Sequence, residues 1–90
     1  MLSIVIITYK EDLAVLRACF SSVGESKGVD CEVFVVDNGG REETRLLLAE
    51  VMPNATYIAN PDNRGFAAAV NQGMRKTTGE YVLLLNPDTV

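Results

Sequence analysis

Residues 2–8 read Leu-Ser-Ile-Val-Ile-Ile-Thr, and residues 31–37 read Cys-Glu-Val-Phe-Val-Val-Asp. Both stretches are short, rich in apolar and β-branched residues, and followed by polar or glycine-containing segments. That is the pattern of strands buried on both faces. Between them, from Glu11 to about Val23, the residues Leu13, Leu16, Phe20 and Val23 recur at helical spacing, and Gly24 is a plausible stop.

The same alternation continues outward. Arg41 to Met52 sets Thr44, Leu47, Leu48 and Val51 on one helical face, and Pro53 ends that helix. Ala55 to Asn60 forms a shorter, more polar third strand. Asn63 is placed to cap a helix running to about Thr78, with Phe66, Ala67, Val70 and Met74 inward and Gly79 past its end. Glu80 to Asn86, EYVLLLN, supplies a fourth strand. Strands that alternate with helices need crossovers, so the expected fold is α/β: an open, mainly parallel sheet with helices on both faces. At 90 residues the chain is a single domain.

Composition removes several classes of function. The chain is 48% hydrophobic and 22% charged, with a mean hydropathy of +0.14, which is globular rather than disordered. Twelve acidic residues against eight basic ones give a net charge of −4, and the basic residues are scattered. No basic patch is available to displace counterions from a nucleic acid, so nucleic acid is not expected as a partner. No apolar run approaches the ~20 residues of a membrane helix, and Ile4–Ile7 lacks the basic flank of a signal peptide. A cytoplasmic location is expected, either free or peripheral at a membrane. There is no histidine, so acid–base or metal chemistry must run through carboxylates, and Cys19 and Cys31 read as two reduced, packed thiols.

Polar residues cluster after the strands. Thr8-Tyr9-Lys10, Asp37-Asn38-Gly39-Gly40, Asn60 to Gly65 and Asn86-Pro87-Asp88 each follow an apolar run. In a parallel sheet these segments share the carboxyl edge, where ligands bind at the reversal of strand order. Asp37 can accept hydrogen bonds from a ribose hydroxyl or a base N–H, or it can cap the turn that follows. Asp88 can hold a divalent ion if phosphates and waters supply other oxygens, or it can be a solvated turn residue. Arg64, beside Gly65 at a helix start, suits a phosphate or base carbonyl, and equally a plain surface position. Gly65 and Gly73 suit turn geometry and close helix packing. No GxxxxGK[ST] and no GxGxxG after the first strand is present, which argues against a P-loop enzyme or a nicotinamide dehydrogenase.

Taken together, SIVIITYK, VFVVDNGG, NPDNRGFAAAVNQGM and GEYVLLLNPDT resemble the family-2 glycosyltransferases, most of all the rhamnosyltransferase-like branch, whose metal motif often reads Asn-Pro-Asp. The resemblance spans the whole chain and implies the Rossmann-like, nucleotide-binding half of a GT-A fold. It implies that Thr8 and Tyr9 line the nucleotide pocket and that Asp37 contacts the pyrimidine base. Asn63, Arg64 and Gly65 would close over base and phosphates, with Asn71 on the helix facing them. Asn86 and Asp88 match the metal motif, and Asp88 would ligate Mg2+ or Mn2+ bridging the diphosphate of a UDP- or dTDP-type sugar donor. The implied reaction is inverting glycosyl transfer.

Three departures stand out. Lys10 replaces the usual Asn, and Gly40 the usual Ser. The sequence also ends at Val90, two residues after Asp88. The resemblance implies that the acceptor half and the catalytic base lie beyond Val90, so no catalytic residue is expected among these 90. The chain looks like the first portion of an enzyme, inactive in isolation. Tyr81 to Leu85 would then be an apolar edge strand, and association of like chains through it or through the C-terminal segment is expected. The competing reading is a small non-catalytic α/β module that binds a nucleotide or a protein.

Overall fold

Strand β1 (Leu2–Thr8) pairs in parallel with β2 (Cys31–Asn38) on one side and with β4 (Tyr81–Leu85) on the other. Strand β3 (Thr56–Asn60) adds to β2, giving a four-stranded parallel sheet of order β3-β2-β1-β4. The computed structural model describes residues 2–25, 31–62, 65–77, 81–85 and 87. Among these residues, the chain steps from β1 to β2 to β3 in one direction, then crosses back to place β4 on the far side of β1. Strand order therefore reverses between β1 and β4.

The period of two along β1 sorts its side chains onto two faces. Ile4 and Ile6 join Val35 of β2 against Leu16 and Phe20 of α1 (Leu13–Gly24) and Leu47 and Leu48 of α2 (Glu42–Val51). Val5 and Ile7 face the other way with Val36, against Ala69 of α3 (Phe66–Met74). Ser3 to Thr8 are all buried, as the composition of this strand requires. Leu16 and Phe20 are fully enclosed, each contributing about 1.5–3 kcal/mol by removal from water. Among the described residues no helix is long and apolar enough to cross a membrane.

Several expectations need correction. Helix α1 starts at Leu13 because the Asp12 carboxylate caps it, accepting from the Ala14 N–H at 2.8 Å. Leu13 itself stays 41% exposed, outside the core. The inward face of α3 is displaced from the one read above. Phe66 and Met74 are 50% and 46% exposed and Ala67 is exposed, whereas Ala69 and Gly73 are buried and Val70 is half-buried. The reason is steric, since only small residues let this helix approach Val5 and Val36 closely. The cap position is held by Gly65 at φ 86°. Asn63 and Gly79, expected to bound this helix, lie outside the described residues.

Gly73 defines that close approach. A Cβ added there would lie 2.5 Å from Val5 Cγ1 and 3.3 Å from Val36 Cγ2. Helix propensity alone favours alanine by about 1 kcal/mol, but overpacking a closed core costs about 1–3 kcal/mol. Gly73→Ala is therefore expected to lower the urea midpoint. A midpoint that stays level or rises would show that α3 sits further from the sheet than described.

Candidate functional site

The parallel register aligns polar residues at the carboxyl ends of three strands. Thr8 stands beside Asp37, and Asn38 beside Asn60. The left-handed backbone positions among the described residues, Lys10 (φ 52°), Gly39 (φ 100°), Gly40 (φ 55°) and Gly65 (φ 86°), all follow strand ends on this same edge. Sharp turns there keep the loops short and bring them together. At Gly40 the freedom is needed twice, because a Cβ would also lie 3.1 Å from the Asn60 carbonyl oxygen.

Asp37 sits at the centre and is fully buried. Its Oδ1 accepts from the Thr8 hydroxyl at 2.9 Å, while its Oδ2 accepts from the Arg41 backbone N–H at 2.9 Å and the Tyr57 hydroxyl at 2.7 Å. Burial, and then the hydrogen bond to the Asp37 carboxylate, push the Tyr57 phenol well above its ordinary range. The carboxylate thus draws on β1, β3 and the start of α2.

A second set of contacts holds the β1–α1 connection. Both oxygens of the buried Glu11 carboxylate accept from the Tyr9 backbone N–H, at 2.7 and 2.8 Å. Arg41 donates from Nη2 to the Glu11 carbonyl at 2.7 Å and from Nε to the buried Thr44 hydroxyl at 3.2 Å. One side chain therefore staples the loop after β1 to the loop after β2. Tyr9 remains 44% exposed, with the Lys10 ammonium 5.5 Å from its ring centroid.

The third set is an amide cluster. Asn60, buried, donates from Nδ2 to Asn38 Oδ1 at 2.9 Å and to Gln72 Oε1 at 2.7 Å, and Gln72 Nε2 donates back to Asn60 Oδ1 at 3.0 Å. This ties the ends of β2 and β3 to α3.

Of the residues singled out above, Thr8, Tyr9, Asp37 and Gly65 are all found on the carboxyl edge. Asn71 is exposed on α3, and its neighbour Gln72 makes the contacts to Asn60. Asn63, Arg64, Asn86 and Asp88 lie outside the described residues. The sequence does not single out Glu11, Arg41, Tyr57, Asn60 or Gln72 as site residues. For Tyr57 a signal does exist, since alternation along β3 puts a phenol on the α2 side, where a buried hydroxyl needs an acceptor.

The family model described as "Glycosyl transferase family 2" matches residues 3–90, and the chain belongs to that family. Poly-beta-1,6-N-acetyl-D-glucosamine synthase of Staphylococcus aureus is 31% identical over 61 residues, covering 66% of this chain and 15% of that protein. The UDP-forming cellulose synthase 1 catalytic subunit of Komagataeibacter xylinus is 35% identical over 89 residues, covering 92% of this chain and 11% of that protein. A mannosyltransferase from Pyrobaculum calidifontis, solved in complex with GDP-Man and Mn2+, superposes with a TM-score of 0.78 and 27% identity over 97% of this chain and 27% of its own. The α/β sheet is thus that of a GT-A glycosyltransferase, and the chain spans a minor part of the proteins it matches.

The raised Tyr57 value has a consequence for stability. Its contribution is complete below the ordinary tyrosine pKa of about 10 and is lost as pH rises through the higher folded value. The stability gap between wild type and Tyr57→Phe should hold steady from pH 7 to about 10 and narrow above it. Urea denaturation across that range tests this; a gap that widens in alkali would mean Tyr57 is not held by Asp37.

Proposed function

We propose that the carboxyl edge binds the nucleoside diphosphate of a sugar donor, of UDP or dTDP type, for inverting glycosyl transfer in the complete enzyme. The observation that carries this is the in-register meeting of Thr8, Asp37, Asn38 and Asn60 at the carboxyl ends of β1, β2 and β3, the edge on which parallel α/β sheets take ligands. The family, and a mannosyltransferase neighbour holding GDP-Man and Mn2+, support a nucleotide-sugar donor; the UDP type is favoured by the UDP-forming cellulose synthase relative. Asp37 accepts from the base through Oδ1, with Thr8 and Tyr9 lining the pocket. Asn63, Arg64 and Gly65 close over base and phosphates, and Asn86 adds a polar contact. The Asn86-Pro87-Asp88 triplet favours the rhamnosyltransferase-like branch. The base that activates the acceptor is assigned to the complete enzyme beyond Val90, and no residue of this chain is given that role.

Asp88 is the residue assigned to Mg2+ or Mn2+. Among the described residues no group of three or more acidic or thiol side chains gathers to hold a metal. The remaining oxygens would come from diphosphate and water, as a hard cation accepts. Bound there, the ion would neutralise charge on the departing diphosphate.

Calorimetric titration with UDP, dTDP and GDP, with and without Mn2+, tests the proposal. Binding should be metal-assisted, and Asp37→Ala should cost about 1.5–3 kcal/mol, the worth of a hydrogen bond to a charged acceptor. Equal affinities for wild type and variant would remove Asp37 from the site. We also propose association of like chains through β4, the edge strand, where Val82, Leu83 and Leu84 are 38%, 44% and 39% exposed. Light scattering should show a dimer or larger species; a monomer at high micromolar concentration would overturn it.

A further inference from the structure

We infer that Tyr57 sets nucleobase specificity, by leaving the Asp37 carboxylate with a single open acceptor. This rests on the donor-nucleotide reading of the site. A carboxylate oxygen offers two in-plane lone pairs. On Asp37, Oδ2 has both engaged, one by the Arg41 backbone N–H at 2.9 Å and one by the Tyr57 hydroxyl at 2.7 Å. Oδ1 has one engaged, by the Thr8 hydroxyl at 2.9 Å. Counting donors among the described residues, one lone pair, on Oδ1, is left for a ligand.

That count distinguishes bases by their donor patterns. The imide edge of uracil or thymine presents one N–H between two carbonyl oxygens, which is a match for one acceptor. Guanine presents N1–H and the 2-amino group side by side, and a carboxylate satisfies both only with an open lone pair on each oxygen. Here Oδ2 is closed, so the 2-amino group would be left unpaired. Cytosine has no N–H at N3; its single edge donor, the 4-amino group, lies at the corner of the ring beside the N3 lone pair, so it meets a lone acceptor off-centre and with that lone pair turned toward the carboxylate.

Burial makes the rule strict. Asp37 is fully buried, so a hydrogen bond left unmade at this carboxylate is not completed by solvent. A buried group left unpaired is what gives polar sites their discrimination. Tyr57 is suited to this role because it reaches Asp37 from the neighbouring strand, and removing its hydroxyl gives up, besides this bond, only a long 3.4 Å contact to the Arg41 carbonyl. Arg41 completes the closure with a main-chain N–H that no substitution short of proline removes.

The test uses this chain with UDP, dTDP, GDP, CDP and inosine diphosphate, in the presence of Mn2+, read by calorimetry. Wild type should bind UDP and dTDP about tenfold or more tighter than GDP and CDP. Tyr57→Phe opens a lone pair on Oδ2, so GDP should tighten about five- to tenfold while UDP stays within about twofold. A GDP-to-UDP ratio unchanged by Tyr57→Phe, with UDP still bound, overturns the inference and leaves the nucleotide site standing. Should the variant not fold, wild type carries the test through inosine diphosphate, which keeps N1–H and lacks the 2-amino group. Equal or weaker binding of GDP than of inosine diphosphate supports a single acceptor; GDP tighter by about tenfold shows two and overturns it. No binding of any nucleotide by wild type removes the site and the specificity rule together.

Discussion

A carboxylate removed from water must have its oxygens matched by donors. Asp37 meets that condition only because its three donors come from separate parts of the chain: a hydroxyl from β1, a backbone N–H at the start of α2 and a phenol from β3. Those partners can be present at once only if β1, β2 and β3 lie parallel in the observed register. A slip of one residue in either pairing would send Thr8 or Tyr57 to the opposite face. The requirement to satisfy one buried charge therefore reinforces the register that the apolar residues of the sheet select, and it does so at the edge where the polar loops collect.

The rest of the carboxyl edge is built outward from that point. Arg41 lends its main chain to Asp37 and its side chain to the Glu11 carbonyl and Thr44, so the loops after β1 and β2 move as one piece. The Asn38–Asn60–Gln72 amides extend the same rigidity to α3. A ligand entering here meets side chains whose orientations are settled before it arrives, which lowers the entropy lost on binding.

The architecture was legible because it depends on periodicity. Runs such as SIVII and VFVV have no solution other than interior strands, and the spacing of Leu16, Phe20, Leu47 and Leu48 leaves little freedom over which face of α1 and α2 is covered. Helix α3 was harder, because hydrophobicity ranks Phe66 and Met74 above Ala69 and Gly73, whereas the contact with Val5 and Val36 selects for smallness. Thr8 and Asp37 could be located from their place after apolar runs. Tyr57, Gln72 and Arg41 could not be assigned roles, since each works through a cross-strand or cross-loop partner fixed only by register and by the turn geometry of Gly39 and Gly40.

Lys10 carries a further consequence. Its backbone is left-handed, a conformation that costs a side-chain-bearing residue about 1–2 kcal/mol, and it places an ammonium over the Tyr9 ring. These 90 residues carry a net charge of −4, which repels an approaching polyanion at long range. Once inside the screening distance, about 8–10 Å at ordinary ionic strength, it meets a fixed cation at the mouth of this edge. Capture of anionic ligands would then respond to salt in opposite senses at the two distances, with moderate salt quenching the far repulsion before it weakens the near attraction.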